Sequence, residues 1–393
     1  MSVPRVLMVT GAYAPETSGA SLQCRNLIRA LRDRAQFTVL TTSTDPALPW
    51  NSIVDDVRVR RIAVNPDSRI SKAIAIERMA SSFLELASGV GIVHLHGFSQ
   101  KSVLVTALAK VLNKRIVIKL TSVGHDDPAS VRAKGAAMWA AYRQADRFIG
   151  VTPRFADGFD AAGLDRQRFV FIPNGVDLDR FKPASVDVRA EFQRQLGIPT
   201  GEPVVLFVGF FSPEKNPDVL CDAWLALHDR GIRSTLVLVG ATKGAYYEID
   251  AGLADRIRSK VDKRGLGDSV VFVETADRIE QYYRAADVFA LPTAREGLPN
   301  VLLEAMASAV PPVITRLEGV TDWIVSPGVT GELVAAVDST AFADAIEGLL
   351  TSPERRDAMG AAARAHVAAN FGMAATAQKT FEVYQDVLKG HPA

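Results

Sequence analysis

The chain has 393 residues, 48% of them hydrophobic and 23% charged, with a formal net charge of +1. That is globular composition, long enough for two domains of about 100–200 residues each, and too balanced in charge for a polybasic surface, so no nucleic-acid partner is expected. The two cysteines, Cys24 and Cys221, stand far apart without paired-thiol or metal-ligand spacing, which argues against a disulfide and for a reducing compartment.

The first segment, RVLMVTG (5–11), reads as a strand running into a Gly/Pro/Ser-rich loop, AYAPETSGAS. The apolar N-terminus is short and interrupted by Arg5, and reads as a first strand rather than as a signal peptide. No apolar run approaches the roughly 18 residues of a spanning helix. A cytoplasmic protein is expected, with peripheral contact at the inner face of the membrane as the other option. Leu22 to Leu31 carries a helical apolar stripe of Leu22, Leu27, Ala30 and Leu31. FTVLTT (37–42), VRVRRIAV (57–64), GIVHLHG (91–97), RIVIKLT (115–121) and RFIGVT (147–152) read as strands, most of them separated by helical segments. Continuous Val/Ile/Leu runs suit strands covered on both faces, and the alternation argues for a parallel sheet. His94 and His96 share one face of a strand end with no third ligand near, and read as an ordinary polar pair.

After Phe169 comes a turn-rich stretch, VFIPNGVDLDRFKPAS, then EFQRQLGIPTGEP. The domain junction is expected in this region, with 1–185 as the first domain and 186–373 as the second. Strands resume at PVVLFVGFF (203–211), STLVLVG (234–240), SVVFVET (269–275), DVFALPT (287–293) and PPVITR (311–316). Thr340 to Gly390 is nearly all helical, with Pro353 in a first turn. The fold class is α/β, two doubly wound Rossmann-like domains. Ligands in such sheets bind at the carboxyl ends of strands, and the cleft between two facing domains is the default site.

The stretch REGLPNVLLEAMASAVPP, Arg295 to Pro312, carries the chemistry. It follows a strand, so Glu296 lies in a loop at that strand's carboxyl end. Pro299 suits the first helical position, and the helix is expected from Pro299 to Ser308 with Glu304 inside it. Eight residues along a helix span roughly 12 Å, well beyond the roughly 5–5.5 Å of an acid/nucleophile pair in retaining glycosidases. The spacing suits two ends of one elongated ligand. Between the carboxylates lies a helix N-terminus, with free amides and about half a positive charge. Hydroxyls at both ends and an anion in the middle describe a nucleoside diphosphate sugar. The bland alternative is a loop carboxylate and a solvated helix residue. The order strand, Glu, Gly/Pro loop, helix, Glu weighs against it.

These residues resemble retaining glycosyltransferase family 4, which has the GT-B fold of two facing Rossmann-like domains. The resemblance rests on E-x7-E, Glu296 to Glu304, followed by Ala305, Met306, Ala307 and Ser308. It is strengthened by YAPETSGAS (13–21), IPNGVDLDRF (172–181), VGFFSPEKNP (208–217) and YYRAADVFALPT (282–293), and covers nearly the full chain. It implies that Glu296 contacts the hydroxyls of the transferred sugar, Glu304 the ribose, and Lys215 the diphosphate. A lysine at a helix start is disfavoured by the helix dipole, which favours an anion partner for Lys215. Gly19 would let the early loop approach the ligand. His125, in KLTSVGHDD, resembles the histidine that faces the donor sugar across the cleft. The expected catalytic residues are thus Glu296, Lys215 and His125. The C-terminal segment, 374–393, is expected to cross back to the first domain, as in GT-B folds.

The pattern departs at Phe210, where many relatives carry an arginine on the diphosphate; Arg295 is expected to replace part of that contact. The loop reads E-G-L-P-N rather than E-G-F-G. Pro299 therefore offers no amide, and the Asn300 side chain is the substitute. Gly297 and Leu298 complete the loop, while the amides near Asn300 and Val301 face the diphosphate. Ala20 stands where a second glycine is common. The resemblance implies transfer of a sugar from a UDP- or GDP-sugar to a hydroxyl of a glycan, lipid-linked glycan or small molecule. It implies retention, front-face attack and proton transfer to the departing phosphate. No cofactor is expected, and no metal: Asp55-Asp56 and Asp126-Asp127 are adjacent pairs, not D-x-D. Arg25, Arg29, Arg32, Arg34, Lys110, Lys114 and Arg115 offer a basic face toward anionic lipid, against the simpler reading of solvated helix faces. The rival functions are a sugar-nucleotide epimerase on a related fold and a non-catalytic nucleotide-sugar-binding protein.

Overall fold

The computed structural model describes residues 3–16, 18–242 and 249–390. The chain divides into two compact units, one made of Met1–Gly175 with Met373–Ala393, the other of Val176–Gly372. The boundary lies earlier than the expected 185/186. The turn-rich stretch after it is no free linker, because Arg364 donates to the carbonyls of Leu178, Phe181 and Ala307 and ties it to the second unit.

The first unit opens with β1 (Arg5–Thr10), α1 (Gly19–Leu31), β2 (Gln36–Ser43), β3 (Asn51–Val54), β4 (Val57–Ala63), α2 (Arg69–Ala87) and β5 (Ile92–His96). It continues through α3 (Gln100–Val111), β6 (Arg115–Lys119), α4 (Pro128–Ala133), α5 (Ala136–Tyr142), β7 (Arg147–Gly150), α6 (Pro153–Ala161) and β8 (Phe169–Phe171). The eight strands run in the order β3-β4-β2-β1-β5-β6-β7-β8, all parallel except β3, which is antiparallel to β4. β3 escapes the sequence pattern because it is an exposed edge strand of four residues. Asp55 and Asp56 form the tight turn behind it, at φ 51° and 63°.

Helix α1 begins at Gly19, earlier than the expected Leu22. Ser18 and Ser21 form a reciprocal capping box that nucleates the first turn. Gly19 is therefore the first helical residue rather than part of the loop. Met8, Leu27, Ile28, Val39 and Val117 share a core with Tyr384 and Val387 of the C-terminal helix.

The second unit contains α7 (Val186–Gln195), β9 (Val204–Val208), α8 (Pro217–Asp229), β10 (Thr235–Val239), α9 (Leu253–Asp262), β11 (Val270–Val273), α10 (Ile279–Ala285) and β12 (Val288–Leu291). Then come α11 (Asn300–Ala307), β13 (Pro312–Thr315), β14 (Glu332–Val334), α12 (Ser339–Leu350) and α13 (Pro353–Asn370), with α14 (Met373–Leu388) returning to the first unit. Its six parallel strands run β11-β10-β9-β12-β13-β14. The order reverses between β9 and β12, which places a crevice at their carboxyl ends. Among the described residues no helix is long and apolar enough to cross a membrane.

Candidate functional site

The loop after β9 and the loop after β12 meet at that reversal. Asn216, left-handed at φ 50° and ψ 50°, ends the first loop and precedes α8. Its side-chain amide donates to the Pro292 carbonyl at 2.9 Å. The Ala294 amide donates to the Glu214 carbonyl at 2.7 Å, and the Thr293 hydroxyl lies 3.3 Å from the same oxygen. These bonds fix the Ser212–Asn216 turn against the residues before Glu296. Gly240 closes the neighbouring strand end: a Cβ there would lie 1.8 Å from the Gly209 carbonyl oxygen, so only glycine fits.

The stitched loops bring Lys215 and Glu296 together. Lys215 Nζ donates to Glu296 Oε1 at 2.5 Å, with the side chains 20% and 10% exposed. Lys215 precedes α8 and lies outside its first turn. Arg295 points to another partner. One guanidinium nitrogen spans both Glu214 oxygens at 2.7 and 3.0 Å. Sequence reading missed Glu214, although it sits within the SPEK stretch beside Lys215.

Helix α11 starts at Asn300, with Pro299 as its N-cap at φ −69° and ψ 111°, one residue later than expected. Pro299, as N-cap, supplies no side-chain hydrogen bond to the first turn. Gly297, Leu298 and Pro299 are buried beneath its start, while Asn300 and Val301 are half-buried. Inside the helix, Glu304 accepts from the Tyr283 hydroxyl at 3.0 Å through Oε2. Burial pushes its carboxyl up to about 7, against the opposing pull of the Tyr283 hydroxyl and the Arg180 charge. Tyr283 and Arg180 were also missed, although both lie in stretches that carry the resemblance.

The remaining two candidates belong to the first unit. Gly19 is exposed at the start of α1. His125 is half-buried in the loop after β6. That loop is built by its carboxylates: Asp126 accepts from the Thr121 and Ser122 amides at 2.8 and 3.0 Å, and Asp127 caps α4 through the Ser130 amide. The expected basic face is largely tied up internally. Arg25 and Arg29 both grip Asp55 and hold its carboxyl well below the usual range, while Lys110 and Arg115 share Asp146.

His94 and His96 lie together at the end of β5, as expected. Both are buried, their ring centroids 4.5 Å apart, and His94 Nδ1 lies 2.6 Å from the Tyr384 hydroxyl. A separate groove of about 830 Å³, lined by Asp222, Leu225, Lys260 and Arg264 among others, contains none of the candidate site residues.

Two family models cover most of the chain: "Glycosyl transferases group 1" matches residues 188–366, and "Glycosyl transferase 4-like domain" matches residues 18–175. A D-inositol 3-phosphate glycosyltransferase of Kineococcus radiotolerans is 31% identical, over 91% of this chain and 87% of that relative. The chain belongs to glycosyltransferase family 4. A second relative, D-inositol 3-phosphate glycosyltransferase 2 of Catenulispora acidiphila, is 30% identical over 94% of this chain and 90% of its own length. Among solved structures, sucrose-phosphate synthase from Thermosynechococcus elongatus superposes at a TM-score of 0.80 with 23% identity, covering 99% of this chain and 100% of that one. Anabaena HepE, in complex with UDP and glucose, superposes at 0.77 with 20% identity over 97% and 99% of the two chains. These likenesses show the GT-B fold of this family 4 member.

Proposed function

We propose that this glycosyltransferase moves a hexose from a UDP- or GDP-sugar to an acceptor hydroxyl, with retention and without a metal cofactor. The observation that carries this reading is the Lys215–Glu296 pair at the mouth of the sheet reversal, beside the start of α11. In the apo protein the two side chains satisfy each other. When donor binds, Lys215 exchanges its carboxylate for the diphosphate and Glu296 is released to the sugar hydroxyls. The first-turn amides of α11, near Asn300 and Val301, take a share of the phosphate charge. Arg295 contributes less, because Glu214 already neutralises it.

In the transfer step the bond between C1 of the sugar and the phosphate oxygen breaks as the acceptor oxygen bonds to C1 on the same face. The acceptor proton passes to the departing phosphate, so no side-chain base is required. The resemblance assigns His125 to the sugar and Gly19 to close approach of the early chain to the donor. Negative charge on the leaving diphosphate is met by fixed donors, which is electrostatic stabilisation by preorganisation.

The relatives named for D-inositol 3-phosphate make a phosphorylated polyol the first acceptor to test. The internal pairing of Arg25, Arg29, Lys110 and Arg115 favours a small-molecule acceptor over a lipid-linked one. We place the enzyme in the cytoplasm on the strength of its two unpaired, buried cysteines. The reading is tested by thermal shift with UDP, GDP and ADP, followed by product analysis with the labelled sugar of the base that binds. A ligand bound only by the folded chain raises Tm. No shift with any of the three, or interconversion of the sugar without transfer, defeats the reading.

Phe210 gives a gain-of-function prediction. It stands where a guanidinium is common, directly after Gly209 at the end of β9. Phe210→Arg is expected to lower the donor KM about tenfold, the worth of one charge-assisted hydrogen bond. The measurement is initial rate against donor concentration.

A further inference from the structure

Glu304 has a built environment that the resemblance did not anticipate. The Tyr283 ring is fully buried in α10, with Phe181 edge-on at 5.7 Å and 75° and Phe289 tilted at 6.0 Å. Burial and these ring contacts hold the Tyr283 side chain in place and direct its hydroxyl to one point. That point is Oε2 of Glu304, 3.0 Å away. That is the only side-chain hydrogen bond Glu304 makes among the described residues, so Oε1 is left for a ligand. Start of α10 is anchored separately: Glu280 takes Arg180 at 2.9 Å and Arg278 at 3.4 Å. The 180–181 segment thus braces α10, through Arg180 on Glu280 and Phe181 on the Tyr283 ring, and among the described residues Tyr283 alone reaches the Glu304 carboxylate.

We propose that Tyr283 is a positioning residue for the nucleotide: its hydroxyl holds one oxygen of Glu304 so that the other is aimed at the ribose hydroxyls. The inference rests on the donor site proposed above. A carboxylate on a flexible side chain has several rotamers, and holding it in one removes an ordering cost from binding. A hydroxyl donor also favours the ionised form, which is the better acceptor for a ribose diol. The groups that face Glu304 are the Tyr283 hydroxyl and Glu280 from α10, and Arg180 from the segment before α7. Burial raises its carboxyl to about 7, so nucleotide affinity should be highest above that pH and fall below it. The ribose lies far from the reacting carbon, so the contact should affect donor binding and not turnover.

The test uses the full chain and three variants: Tyr283→Phe, Glu304→Ala and the double variant. Tyr283→Phe removes one oxygen and leaves the ring packing, and an unchanged far-UV spectrum and Tm confirm its fold. The probe is whichever of UDP, GDP and ADP gives the largest thermal shift, titrated by calorimetry from pH 6 to 8.5. Tyr283→Phe is expected to raise Kd about tenfold and to move the pH midpoint of binding upward. Transfer assays should show the loss in donor KM with kcat within about twofold. The double variant should bind no more weakly than Glu304→Ala alone, since the hydroxyl acts only through that carboxylate. If Glu304→Ala weakens binding but Tyr283→Phe shifts neither affinity nor midpoint, the positioning role is wrong and the donor site stands. If Glu304→Ala itself leaves Kd unchanged, the donor site is wrong.

Discussion

Lys215→Ala is expected to lower kcat/KM for transfer by about 100-fold, the usual loss when one preorganised donor to a developing oxyanion is removed. The lysine is held for that role. Its turn is tied to the next loop through Glu214, Asn216 and Pro292, and its ammonium is already held, half-buried, beside Glu296. The structure also predicts an asymmetry. Removing Lys215 leaves the Glu296 carboxylate, 10% exposed, without its cation, so some thermal stability should be lost as well. The variant Lys215→Ala/Glu296→Gln removes both charges and should recover stability without recovering transfer. Glu296→Gln alone frees Lys215 and should bind a nucleoside diphosphate a few-fold more tightly, about 1 kcal/mol, while losing the sugar contact. Steady-state kinetics and calorimetry on these variants, with Arg295→Ala as the milder comparison, decide the matter. Wild-type kcat/KM in Lys215→Ala would remove the lysine from the reaction.

The second large effect is on stability. Acidification from pH 7 to 4.5 should destabilise the first unit through His94 and His96. Burial pushes the His94 imidazole down to about 3, with the Lys119 charge adding to it, and holds His96 well below its ordinary value for the same reason. Lys119 and Tyr384 face this pair, and neither can neutralise an imidazolium: the burial-raised phenol stays protonated, and Lys119, pushed down to about 8, is itself a cation when charged. The unfolded chain takes up protons near pH 6.5 that the folded unit refuses. Stability is therefore complete above about 6.5 and falls below it, by about 1.4 kcal/mol per pH unit for each histidine. Against a total of about 5–15 kcal/mol, the loss is decisive by pH 4.5. Glu304 acts in the opposite sense. Its raised value means the folded second unit binds a proton more readily, which adds stability as pH falls from about 7. Tm followed against pH should drop steeply in the wild type and less steeply in His94→Asn/His96→Asn. An equal slope in both would show that other groups govern acid unfolding.

The strand–helix order was legible because parallel strands buried on both faces are written as unbroken Val, Ile and Leu runs. RVLMVT and TLVLV are examples, with β10 buried at every position. Three strands left no such trace. β3 is an exposed edge, and β8 and β14 have three residues each. Local chemistry also misled. Proline favours the first helical position, yet Pro299 caps α11 in an extended conformation, its helix beginning only with Asn300. Gly19 read as loop because glycine is a poor helix former, but the Ser18–Ser21 capping box starts the helix there. The members of the candidate site were named from the motif alone; their partners were not. Glu214 reaches Arg295 and Lys215 reaches Glu296 across 81 positions, and His94 reaches Tyr384 across 290. No periodicity within one element encodes such pairings. They are set by which strands the topology makes neighbours.

The return of α14 to the first unit has a consequence for how the protein is made. Val383, Tyr384 and Val387 complete a core whose other members, Leu27, Ile28 and Val39, leave the ribosome far earlier. The whole of the second unit is synthesised in between. The unit that comes second in the chain is thus the first able to mature. The N-terminal sheet and α1 must wait, with the part of their core that α14 covers left open, for the late helix or for a chaperone to shield it.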